Sequence, residues 1–80
     1  MRLDKYLKVS RIIKRRTVAN EACDSSYVRV NGRVVKASYD VKPGDVVEVS
    51  FGSRTTAFRV LSVDEPKKKD DAAAMYEVVS

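Results

Sequence analysis

Eighty residues, 44% of them hydrophobic and 34% charged, make one small domain, because a chain of this size buries only about 60% of the surface its unfolded form exposes. Sixteen lysines and arginines against eleven acidic residues leave a net charge of +5 and an isoelectric point near 9.6, which directs attention to a nucleic acid or an anionic membrane surface, with simple solubility as the competing reading. The lack of histidine and the lone cysteine, Cys23, exclude the usual zinc sites, a histidine-dependent catalytic triad and an intramolecular disulfide.

No cofactor and no metal is therefore expected. No stretch approaches the roughly 18 apolar residues of a membrane span, and the amino terminus lacks the apolar run of a signal peptide. A reducing cytoplasm is the expected compartment.

From Arg2 to Val9, Leu3 and Leu7 at i, i+4 with Tyr6 between them predict a short helix with one apolar face. Asp4 lies in its first turn, where the helix dipole favours a carboxylate, and it is placed to orient a neighbouring arginine. Ile12 and Ile13 read as core residues in a bend. A second helix is expected from about Arg16 and Thr17, burying Ala19, Ala22 and Cys23 and stopping near Asp24-Ser25-Ser26, where a glycine would be the usual left-handed terminator.

From Tyr27 the apolar period changes to two. Val28 and Val30 alternate with Arg29, and Asn31-Gly32 then marks a hairpin of type I′ before Arg33, Val34 and Val35. Lys36 to Lys42 reads as a polar connection, and Pro43-Gly44 supplies a type II turn. Val46 to Phe51 is the next strand, with Val47, Val49 and Phe51 on one face. Gly52-Ser53 turns the chain into a longer strand, Thr55 to Val63.

Pro66 and Lys67-Lys68-Lys69 interrupt all periodicity and read as a solvated linker, with phosphate contact as the lesser alternative. Asp70-Asp71 are expected to cap a final short helix through Ala72 to Met75, and strand character returns at Val78-Val79. The fold class that follows is α+β, two short helices on a small twisted antiparallel sheet. Residues 1–64 form the domain and 65–80 a linker with a short segment that packs on or extends it.

Catalysis fits poorly. The acidic residues include no pair whose placement predicts acid and base roles, and the three glycines are dispersed in turns instead of forming a phosphate loop. The basic character is more informative because it is grouped: Arg2, Lys5, Lys8, Arg11, Lys14, Arg15 and Arg16 lie in the first sixteen residues, opposed only by Asp4. Ordinary solvated helix faces mix the two signs, since like charges one turn apart repel. An interfacial membrane helix would need a free apolar face, and Leu3, Leu7, Ile12 and Ile13 are required by the core. Nothing offers a long recognition helix for a DNA major groove, so folded RNA read by shape and backbone is preferred.

The runs RLDKYL, KRRTVA, VRVNGRVVKAS and VKPGD, in that order, resemble the RNA-binding domain superfamily named from ribosomal protein S-four, over Met1 to about Val49. Among small stand-alone members the chain is similar to the RqcP-like group of bacterial ribosome-associated quality control, with the fifteen-kilodalton heat-shock group next; AAAMYE near the end resembles their tails. The resemblance implies binding of large-subunit ribosomal RNA and peptidyl-tRNA on an obstructed large ribosomal subunit. It also implies an RqcH-type partner that adds alanine to the stalled chain. The alternatives are rescue of blocked subunits without tailing, or service as the RNA-binding accessory of a separate enzyme. Residue by residue, Arg2, Asp4 and Arg16 match the family's motif, while Lys5, Lys8, Arg11, Lys14 and Arg15 match its variable basic surround. Ser26 stands where family members usually carry glycine.

Overall fold

The computed structural model describes residues 1–79, with Lys69 and Asp70 described by their backbone alone. The first helix, α1 (Leu3–Val9), buries Leu3, Tyr6 and Leu7 completely, as the i, i+3, i+4 spacing requires. Seven residues are too few to hold a helix in isolation, and the hold comes from elsewhere in the chain. The Leu3 N–H donates to the Tyr39 carbonyl at 2.8 Å, the Asp4 N–H to the Ala37 carbonyl at 3.1 Å, and the Val41 N–H to the Met1 carbonyl at 2.8 Å. The stretch expected to be a polar connection is thus a strap that satisfies two of the orphan donors of the α1 amino terminus, with its own Ala37 and Val41 buried.

After α1, Arg11 adopts a left-handed φ of 66°, and the Ile13 N–H returns to the Leu7 carbonyl at 2.9 Å. This turn buries Ile13 and leaves Ile12 half-buried. The second helix, α2 (Arg16–Asp24), lays Ala19, Ala22 and Cys23 against the core. It ends as a Schellman motif, the Tyr27 N–H reaching the Ala22 carbonyl at 2.9 Å and the Ser26 N–H the Cys23 carbonyl at 3.2 Å. Ser26 occupies the glycine position with φ 64°, at a cost of about 1 kcal/mol or somewhat more.

Five antiparallel strands follow: β1 (Val28–Val30), β2 (Arg33–Val34), β3 (Val46–Phe51), β4 (Arg54–Val60) and β5 (Tyr76–Val78), ordered β2-β1-β3-β4-β5. Asn31 and Gly32, at φ 53° and 80°, close the β1–β2 hairpin with Val30 opposite Arg33, the type I′ geometry. Gly44 takes φ 95° and the Asp45 N–H reaches the Lys42 carbonyl at 3.1 Å, completing the type II turn. Val28, Val30, Val47 and Val49 share one buried face and join the helices' apolar stripe in a single core. Phe51 has the same parity but lies past the core's edge and is exposed, as is Val34.

The end of the chain departs most from expectation. β4 spans Arg54–Val60, not Thr55 to Val63, because beyond Val60 the Leu61 and Ser62 N–H groups both turn to the Met75 carbonyl, at 2.8 and 3.3 Å. The expected final helix is a 3₁₀ helix, Lys69–Met75, in which residues three apart eclipse; among its described side chains Ala72 and Met75 are accordingly the pair buried. Its N-cap residue, Lys68, makes no side-chain cap hydrogen bond, and the Asp71 N–H donates to the Lys68 carbonyl at 3.1 Å; the expected Asp70 cap falls outside the described side chains. Strand β5 begins at Tyr76, earlier than Val78, where an edge-on contact with Phe58, 5.2 Å between ring centroids, seats it on β4. The buried Tyr6 hydroxyl donates to the Met75 carbonyl at 2.8 Å and ties α1 to this terminal segment.

Candidate nucleic-acid interface

The organising group is a buried carboxylate. Asp4 is only 2% exposed, because α1 turns it toward α2 instead of toward solvent. Its Oδ1 accepts the Lys5 N–H at 2.8 Å and the Arg2 Nε–H at 3.2 Å. Its Oδ2 accepts Asn20 Nδ2–H at 3.3 Å, with Arg16 Nε–H and Arg2 Nη2–H each at 3.5 Å. Burial pushes the carboxyl pKa up, but the Asn20 and Lys5 donors and the Arg16 and Arg2 charges outweigh it, and the net direction is below the ordinary 3.8. Asp4 is therefore ionised at neutral pH.

Two positive guanidiniums share this one negative charge. The Arg2 and Arg16 side chains remain 52% and 47% exposed, so each is pinned at its inner edge and open to solvent at its outer one. Beside them Asp4, Arg16, Thr17, Asn20 and Glu21 outline a shallow depression. Asn20 is the contributor that sequence reasoning missed. It lies one helical turn after Arg16, and that i, i+4 spacing was the available signal; which partner the pair faces is decided only when α2 docks on α1.

The remaining basic residues separate from this cluster. Lys5 is drawn away to Glu65, Nζ to Oε2 at 3.6 Å, both ends exposed. Lys8, Arg11 and Lys14 line a cleft of about 620 Å³ together with Glu65, Lys67 and Lys68. Arg15, the extended residue preceding α2, is exposed. The sequence grouped these cations and set Arg2, Asp4 and Arg16 apart from their basic surround; the fold places Arg2 and Arg16 on Asp4 and lines a separate cleft with Lys8, Arg11 and Lys14. Cys23 belongs to neither, and its burial pushes the thiol up to about 11, so that it packs as a small apolar residue.

Comparison with known proteins follows the same lines. The S4 domain family profile matches residues 1–47. The chain is similar to the RQC P-site tRNA stabilizing factor of Streptococcus pneumoniae, 55% identical over 80 residues covering 100% of this chain and 91% of that protein. It is also similar to the RQC P-site tRNA stabilizing factor of Bacillus subtilis, 49% identical over 79 residues, 99% of this chain and 92% of that one. Among solved structures, Vibrio cholerae Heat Shock Protein 15 superposes with a TM-score of 0.90 over 100% of this chain and 82% of that one, at 23% identity. A hypothetical protein solved in solution matches with a TM-score of 0.84 and 28% identity, over 100% of this chain and 98% of that one.

Proposed function

Because this chain belongs to the S4 domain family and, within it, to the RQC P-site tRNA stabilizing factors, we propose that it is an RNA-binding protein that steadies tRNA on the large ribosomal subunit during ribosome-associated quality control. The observation that carries the reading is the pinning of Arg2 and Arg16 on buried Asp4. An arginine free in solution gives up about 2 kcal/mol of rotamer freedom when it docks. Here part of that ordering is complete before RNA arrives. The inner Nε edges, and Nη2 of Arg2, are held by the carboxylate, and the remaining Nη groups present donors suited to a phosphate or a base edge.

In finer detail, the protein binds large-subunit ribosomal RNA and peptidyl-tRNA on an obstructed subunit. It supports alanine tailing by an RqcH-type partner in the cytoplasm. Its own role is to hold and orient, with no reaction step at its side chains. Rescue of blocked subunits without tailing draws no support from the likeness to Heat Shock Protein 15, which at 23% identity concerns the fold. Service to a separate enzyme draws none from the site. No helix among the described residues is long and apolar enough to cross a membrane.

The test is co-sedimentation with large subunits bearing peptidyl-tRNA, for wild type and an Arg2→Gln/Arg16→Gln variant whose fold is checked by circular dichroism. About five phosphate contacts give a log-log salt slope near −4 for the wild type, and the variant is expected to stay in the supernatant. A folded variant that still co-sediments like wild type, or a wild-type slope near zero, overturns the proposal.

A further inference from the structure

The cleft set apart from Asp4 has chemistry of its own. It is formed where the carboxyl-terminal end of α1 meets the segment before the 3₁₀ helix, so Lys8, Arg11 and Lys14 face Lys67 and Lys68 across more than fifty residues of sequence. All five cations are exposed. The acidic residue of the lining, Glu65, is engaged sideways with Lys5 at 3.6 Å, which compensates its charge and leaves the five cations in excess. Like charges gathered around a concavity repel one another, and the core requires none of them. The floor is apolar, made by Val9, Pro66 and Ala72.

A cationic rim over a small apolar floor is complementary to a sugar–phosphate strand, with phosphates at the rim and riboses on the floor. It is poorly matched to a lipid surface, since that floor is concave and offers no bulky side chain to insert. We propose that this cleft is a second RNA site, in which Lys67 and Lys68, together with Lys8, Arg11 and Lys14, hold a stretch of the tRNA phosphodiester backbone. The inference rests on the tRNA-binding reading above. It makes the basic run before the 3₁₀ helix part of the binding surface, separate from the arginine pair.

The experiment measures anisotropy of fluorescein-labelled tRNA against salt for wild type, Lys67→Gln/Lys68→Gln and Arg2→Gln/Arg16→Gln. Thermal melts confirm that each remains folded. Removing two phosphate contacts flattens the log-log slope by about two, and the two double variants combined are expected to lose the sum of their separate effects. If Lys67→Gln/Lys68→Gln keeps the wild-type slope on tRNA while Arg2→Gln/Arg16→Gln flattens it, the cleft proposal is overturned and the arginine reading stands. That result is also the one expected were the cleft's occupant an acidic protein segment. A parallel arm uses vacant large subunits; a lysine effect seen there and absent with tRNA transfers the cleft to ribosomal RNA and overturns its assignment to tRNA. A wild-type slope near zero in both arms removes both readings.

Discussion

Asp4→Asn is the sharpest perturbation of the site, because it preserves shape and removes only the charge and one acceptor. The amide oxygen can take the place of Oδ1 and keep the Lys5 and Arg2 donors, while the amide nitrogen then meets the donors of Arg16 and Asn20. Hydrogen bonds to charged groups contribute about 1.5–3 kcal/mol each when buried. The arginine ends are about half exposed, so solvent screening reduces each loss to about 1 kcal/mol. The total is then about 2 kcal/mol, a large share of the roughly 4–12 kcal/mol available to eighty residues, and equivalent to a drop in Tm of roughly 10 °C. The pH dependence gives a second check. A carboxylate whose folded pKa lies below its ordinary 3.8 contributes stability that is fully present above 3.8 and is lost as pH falls through the folded value. Urea unfolding followed by circular dichroism should therefore show a constant gap between wild type and Asp4→Asn near neutral pH. The gap should narrow once pH drops below 3.8. Equal stability at pH 7, or a gap indifferent to acid, would refute the account of Asp4 as the ionised centre of the cluster.

Other outcomes follow from the same geometry. Asn20→Asp places a second carboxylate where a donor now lies 3.3 Å from Asp4; it should lower the urea midpoint at pH 7 by an amount equivalent to about 1–2 kcal/mol and recover part of it at pH 5, as one of the pair takes up a proton. Ser26→Gly relieves a left-handed serine and should raise stability by about 0.5 kcal/mol after the added freedom of the unfolded chain is subtracted; a lower Tm would contradict the Schellman reading. Tyr6→Phe deletes the buried hydroxyl bond to the Met75 carbonyl at a cost of about 1–2 kcal/mol. It should also speed amide hydrogen exchange in β5, and unchanged exchange there would show that the tie does not hold the terminal strand.

The elements legible in the sequence are those whose causes lie within a few residues. Asn31-Gly32 and Pro43-Gly44 specify their turns because positive φ is a property of the residue itself. Leu3, Tyr6 and Leu7 declare a helix face, and Val28, Val30, Val47 and Val49 declare a strand face, through spacing alone. The 3₁₀ helix and β5 were less legible. AAAMYEVV satisfies helix and strand patterns equally, and the choice rests on Ala72 and Met75 finding the core and on Tyr76 finding Phe58.

By itself, then, the sequence determined the α+β class, the turns, the apolar faces and the excess of positive charge near the amino terminus. The tertiary structure alone decided that Asp4 is buried, that Asn20 joins it, that the strap caps α1, and that Lys67 and Lys68 lie beside Lys8, Arg11 and Lys14. The physical reason is range. Backbone preference depends on the nearest neighbours along the chain, whereas desolvation and Coulomb interaction depend on neighbours in space, which for Asp4 and Asn20 are 16 residues apart and for Tyr6 and Met75 are 69.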